Sequence, residues 1–246
     1  MARPSKNSKD SGEPIVRTFH WMKWADSDYL AARCLLLESM VVQGCIIANT
    51  AVEKYLKALY AHLEIHIPHS HAVLTLYRRV TASGKSTVEL NVGFLSALQK
   101  AYRLRYPDEL PDGFNIALNQ MKLLAELDRT VSAITKGFAF REGATDFVLE
   151  RAAKAGDRRY GTRNVVLNPD QTSDFFAGNS QSFEFRIHKP LVINVEYLSP
   201  GVEDDGLFEQ VGAVLIPDKN TKDIKLAFPR GPGKITHKEL FDWPHA

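Results

Sequence analysis

From Trp21 to about Phe140 the apolar residues recur at steps of three and four, the spacing that lines one face of an α-helix, and short turn signals divide the stretch into five segments. The first places Trp21, Trp24, Ala25, Ala32, Leu35 and Leu36 on one stripe, with Asp26 and Asp28 early in it, where carboxylates suit the helix dipole. The second runs from about Val42 to Leu63, with Ala48, Val52, Tyr55, Leu56, Leu59 and Leu63 facing a core, and Pro68 bars its continuation. Ser70 is an N-cap candidate for a short third helix holding Val73, Leu74, Tyr77 and Val80, which Ser83 and Gly84 close. A fourth uses Phe94, Leu95, Leu98, Ala101 and Tyr102 and ends near Arg105, because Pro107 pushes Tyr106 out of the helical region. The fifth runs from about Phe114 towards Lys136, with Ala117, Leu118, Met121, Leu124, Ala125 and Val131 inward and Gly137 just past its end. Five helices joined by short links predict an antiparallel bundle.

Beyond Arg141 the pattern changes. Asp146 to Ala155 reads as one more helix, capped by Gly156. Period-two alternation follows at Phe183, Phe185 and Ile187, at Leu191, Ile193, Val195 and Tyr197, at Val211, Ala213 and Leu215, and at Ile224, Leu226 and Phe228. The linkers Ser199-Pro200-Gly201, Pro217 to Asn220 and Arg230 to Gly233 are rich in turn formers. The expected class is α+β, in three parts: a flexible basic arm at 1–19, a helical bundle at 20–140, and a β-rich region at 141–246 with a short helix and a basic junction.

Composition narrows the function rather than the fold. The 246 residues are 44% hydrophobic and 24% charged, which excludes collagen-like and disordered chains, and no apolar run approaches a membrane span. Lys plus Arg at 31 against Asp plus Glu at 29 leaves a net charge of +2, so any polyanion site has to be local. The first fourteen residues lack the apolar core of a secretory signal, and Cys34 and Cys45 fall inside helical patterns as small buried hydrophobes, which points to the cytoplasm. Two such Cys form no zinc motif, and no cofactor is implied.

The segment from Ala48 to Leu59, ANTAVEKYLKAL, is followed by His71 at the start of the next helix and then by Tyr102-Arg103-Leu104-Arg105-Tyr106-Pro107-Asp108. Together with the opening Trp24 to Ala32, this order and spacing resembles the HEPN domain family over residues of about 20 to 139. The resemblance implies a five-helix, mostly antiparallel bundle that commonly forms homodimers. The family is linked to nucleotide or RNA binding, to RNA cleavage, and to toxin or antiviral systems.

The residues themselves bear on that implication. Arg105 lies three residues after Tyr102 and seven after Leu98, on the apolar side of its helix, so its guanidinium needs a partner. Either a carboxylate such as Glu53 or Asp108 pairs with it, or Arg105, with Tyr106 beside it, lines a cleft for a phosphate or carboxylate. Glu53 and Lys57 stand four apart as on an exposed helix face, and Lys54 or Lys57 could join Arg105 in an anion cleft. A second candidate is the junction, where Arg151, Lys154, Arg158, Arg159 and Arg163 surround Tyr160; it could track a nucleic-acid backbone or be a solvated helix end.

The catalytic branch of the family carries a His four to six residues after an Arg on a late helix. Here Arg105 is followed by Tyr106 to Pro111 without a His, and Arg230 with His237 is separated by Gly231-Pro232-Gly233, which forbids a helix. A metal-independent ribonuclease therefore ranks behind a non-catalytic dimeric module binding a nucleotide or RNA, and a protein-interaction scaffold is a further alternative. Of the cluster His62, His66, His69 and His71, the pair His62 and His66 has a usable metal-ligand spacing and the turn at Pro68 could bring a third, but solvated or capping roles are the stronger reading. Ser83-Gly84-Lys85-Ser86 lacks the earlier glycine of a phosphate loop, since position 79 is Arg79, and Gly231-Pro232-Gly233-Lys234 has a proline where a donor is needed.

Overall fold

The computed structural model describes residues 14–138, 147–177, 180–188, 191–199, 216–217, 223–228 and 231–236. Helices α1 (Pro14–Leu37) and α2 (Val41–His62) form a tight hairpin. It places Asp28 opposite Lys54 and Trp21 opposite Lys57. Gly44 allows the close approach, because a Cβ there would stand 2.7 Å from the Leu36 side chain. Helix α2 is the centre of the bundle, buried from Ala51 to Ala61 except at Lys54. Around it pack α3 (Val73–Ala82), α4 (Val92–Tyr102) and α5 (Gln120–Lys136). No helix among the described residues is long and apolar enough to cross a membrane.

Several expectations shift by a turn or a face. Helix α1 starts at Pro14, where the missing N–H is harmless in a first turn, so residues 14–19 of the expected arm are helical. Residues 1–13 lie outside the described ones. The buried stripe of α1 is Met22, Ala25, Tyr29, Ala32 and Leu36, while Trp21 is half-buried and Trp24 is 54% exposed. Starting the helix earlier also puts Asp26 and Asp28 in its middle, where they bond side chains of α2 instead of serving the helix dipole. Ser70 does not cap α3: that helix begins two residues later, after Ala72, whose N–H bonds the Ser70 hydroxyl.

The expected fifth helix divides in two. Residues Asn115–Asn119 form strand β1, with Ile116 and Leu118 buried in alternation, and Ala117 belongs to that strand. The helix then starts at Gln120, because the Asn119 side chain accepts from the N–H groups of Met121 and Lys122.

Past the bundle come α6 (Val148–Ala155), ended by Gly156 at φ 62°, then α7 (Arg158–Gly161) and α8 (Thr172–Ala177). Strands β2 (Ser180–His188) and β3 (Leu191–Ser199) extend β1 into an antiparallel sheet with β2 central, paired Asn115 to Arg186 through Asn119 to Ser182. Bundle and tail are therefore joined by main-chain hydrogen bonds across the expected boundary at 140. A second antiparallel sheet holds β4 (Ile216–Pro217), β5 (Asp223–Phe228) and β6 (Gly231–Thr236). The expected turn at Gly231 to Gly233 is thus strand, with Pro232 on an edge where its missing donor is tolerated. The expected strand at Val211, Ala213 and Leu215 lies outside the described residues.

Candidate functional site

Glu53 is the hub of one surface. It projects from α2 with only 5% exposure, so it is no solvated partner of Lys57 as the spacing alone suggests. Its two carboxylate oxygens are divided: Oε1 accepts from the Lys57 ammonium at 2.7 Å, and Oε2 meets His71 Nδ1 at 2.9 Å. Burial of the carboxylate and the ammonium strengthens that attraction relative to an exposed pair. The His71 ring is fixed at Nδ1 while its side chain as a whole is 70% exposed. Its main chain is held too, since Asn49, one turn before Glu53 on α2, donates to the His71 carbonyl at 3.4 Å.

The His71 ring lies 6.3 Å from that of Tyr102, the last residue of α4. There the chain tightens into a 3-10 turn, Arg103–Arg105, before Pro107, which turns Arg105 outward rather than onto the apolar face. The Arg105 guanidinium lies 3.9 Å over the Tyr102 ring and 5.0 Å from that of Tyr106, donating to both hydroxyls at 2.5 and 3.3 Å. Burial pushes the Tyr102 phenol above its ordinary range, with Arg105 pulling it part of the way back. No carboxylate among the described residues pairs with Arg105, so neither Glu53 nor Asp108 is its partner. Tyr106 is 55% exposed. The result is a full positive charge on an aromatic shelf, open to solvent and linked through His71 to Glu53.

The structure thus brings Arg105, Tyr106, Glu53 and Lys57 into one continuous array. Lys57 is nearly buried there, its ammonium 5.2 Å from the Trp21 ring. Lys54 stands apart on the α1 side, bonded to Asp28 at 2.6 Å and 5.8 Å from the Trp24 ring.

The basic junction is a separate place. Arg159 pairs with Asp157 at 2.7 Å, and that hydrogen bond holds the Asp157 carboxyl below its ordinary range. Arg151 pairs with Asp26. Tyr160 is half-buried against Tyr29, and Arg158 is exposed on α7. Arg163 lines a cavity of about 210 Å³ with Asn164, Val165, Asn168, Gln171 and Asp174. Arg151 and Arg159 already have acidic partners, so the charge visible in the sequence is partly neutralised.

The guanidinium that needs a buried partner is Arg33, which composition and spacing did not single out. Arg33 and Asp128 are both fully buried and form an ion pair between α1 and α5. Tyr29 donates to the same carboxylate at 2.6 Å, and Arg33 also donates to the carbonyls of Arg159 and Thr162 in the tail. Burial alone would pull the Arg33 pKa down, but Asp128 and Tyr29 more than offset it and hold the guanidinium charged. The available signal was the spacing of Tyr29 and Arg33, one helical turn apart, which puts both on the same face.

No group of three metal-ligating side chains gathers among the described residues. Of the four clustered histidines, His62 packs edge-on against Phe138 at 5.3 Å and His71 is committed to Glu53. Ser83 and Gly84 form the turn after α3, with Gly84 at φ 67°.

Compared with known proteins, residues 19–129 match the family model of the HEPN domain. No curated protein and no solved structure matches the chain.

Proposed function

We propose, from the HEPN domain that this chain carries over residues 19–129, that it is a non-catalytic module binding a nucleotide or RNA, working as a homodimer. One observation carries the reading: Arg105 presents an exposed guanidinium whose partners among the described residues are phenols, stacked on Tyr102 beside the open ring of Tyr106. A phosphate meets two donors on one fork, and a base has an aromatic face to lie on. A toxin or antiviral setting accompanies the reading through the family alone.

The test is calorimetry with a nucleotide panel and short RNAs on the wild type and Arg105→Ala. Binding that the substitution abolishes without altering thermal stability supports the reading. Absence of heat, with Arg105→Ala lowering thermal stability, makes Arg105 a strut and sinks it.

One observation favours ribonuclease as a second reading. The motif histidine is missing after Arg105, yet His71, oriented by Glu53, sets an imidazole beside Tyr102, the ring over which Arg105 lies. With Nδ1 held by the carboxylate, Nε2 is free to take a hydroxyl proton. Labelled RNA left intact by the purified protein across a range of pH rules this out.

A further inference from the structure

The first turns of α1 carry a second aromatic surface that the reading above does not use. Trp24 is 54% exposed and Trp21 half-buried, although both occupy positions that a simple helical stripe would bury. His20 contacts both indoles edge-on, at 6.3 and 6.5 Å, so the rings form one patch. An ammonium faces each ring, Lys57 at 5.2 Å from Trp21 and Lys54 at 5.8 Å from Trp24. Each ammonium is also held by a carboxylate, Glu53 at 2.7 Å and Asp28 at 2.6 Å.

That neutralisation decides what the patch can hold. A phosphate would meet Asp28 and Glu53 as well as the two lysines and gain little, whereas a nucleobase is uncharged and stacks on an exposed indole. At the other end of the array the charge balance is reversed, because Arg105 has no acidic partner among the described residues. Glu53 joins the two ends: the same carboxylate holds Lys57 under Trp21 and His71 beside Tyr102.

The geometry points to a single-stranded oligonucleotide, not a free mononucleotide, as the ligand of this surface. Its phosphate lies on Arg105, one base on the open Tyr106 ring, and a further base of the same strand on the exposed Trp24 ring beside Trp21. This rests on the nucleotide or RNA reading of Arg105 and adds a subsite and a minimum length. A mononucleotide occupies one platform only; a strand of a few nucleotides reaches both.

The experiment compares adenosine monophosphate with a short single-stranded adenylate, titrated into the full chain and into Trp24→Ala and Arg105→Ala. Trp24 is exposed and its substitution leaves the core intact, which circular dichroism and the melting temperature verify. The oligonucleotide should bind at least about tenfold more tightly than the mononucleotide, from one additional stacked base. Trp24→Ala should erase that gain while leaving the mononucleotide affinity unchanged, and Arg105→Ala should weaken both ligands. Equal affinities for the two ligands, with Trp24→Ala silent, overturn the second subsite and leave the Arg105 reading standing. Binding of neither ligand, or indifference of both to Arg105→Ala, overturns the reading beneath it as well. If Trp24→Ala changes only the sedimentation coefficient, the patch is a self-association face and the proposal fails.

Discussion

Among the described residues, two arginine–tyrosine clusters have the same ingredients and opposite surroundings. Arg33 and Tyr29 meet Asp128 at zero exposure, and each of the three guanidinium nitrogens bonds a carboxylate or a main-chain carbonyl. Arg105 meets Tyr102 and Tyr106 in the open, with no acid among the described residues to neutralise it. Residue type therefore does not separate a strut from a receptor. What separates them is whether the charge is already answered inside the chain. A buried, fully bonded pair specifies how α1, α5 and the segment around Thr162 fit together, whereas an exposed, unanswered one keeps its interaction energy for a ligand.

The comparison makes opposite demands on substitution, and the largest effect belongs to the buried cluster. Asp128→Ala strands the Arg33 charge in the core and should destabilise the fold by about 3–5 kcal/mol, read by urea denaturation. Replacing both Arg33 and Asp128 with apolar residues of similar volume should recover much of that loss. If Asp128→Ala instead changes stability no more than an average surface substitution, the strut assignment is wrong. The opposite pattern is expected at the other cluster: Arg105→Ala should alter stability by no more than about 0.5 kcal/mol. The same change should weaken phosphate-bearing ligands by about 1.5–3 kcal/mol, the worth of a hydrogen bond to a charged group. A clear loss of stability in Arg105→Ala would erase the distinction between the two clusters.

How much of this could be read from the chain depends on whether a feature is local. The helices α2, α3 and α4 and the Gly156 cap follow from short-range spacing along the chain. What escaped depends on long-range partners. Strand β1 exists because β2 pairs with it from 67 positions away, at Ala117 and Glu184, and helical spacing in Ala117, Leu118 and Met121 concealed it. Burial of Glu53 and Lys57 comes from Trp21 and His71 closing over them, which spacing on one helix cannot reveal. The spacing of Tyr29 and Arg33 shows a shared face, but the carboxylate that answers them lies 95 residues beyond Arg33, out of reach of any local pattern. Asn119→Ala tests the corrected boundary: loss of the cap on Met121 and Lys122 should cost about 1 kcal/mol, seen in thermal unfolding. A helix running on from Phe114 would instead gain from the alanine.

The smallest expected effect repeats the contrast between an enclosed and an open group, now with two histidines from one stretch of chain. His71 stands in solvent on Glu53, whereas the His62 ring rests edge-on against Phe138, and partial burial there lowers its pKa from the ordinary histidine value. A depressed base is neutral in the fold while the unfolded chain still binds its proton. His62 therefore contributes its stability above the unfolded-state pKa of about 6.5, and that contribution is lost as pH falls through this value towards the folded one. Solvent screening at a half-open position keeps the effect well under ~1 kcal/mol. Comparing melting temperatures of the wild type and His62→Phe at about pH 7.5 and about pH 5.5 isolates it, because every other titrating group is common to both. The wild type should lose more on acidification than His62→Phe, whose ring keeps the contact with Phe138 and has no proton to bind. Equal losses would mean that the Phe138 contact does not distinguish the two protonation states, and that enclosure at this end of α2 is too shallow to matter.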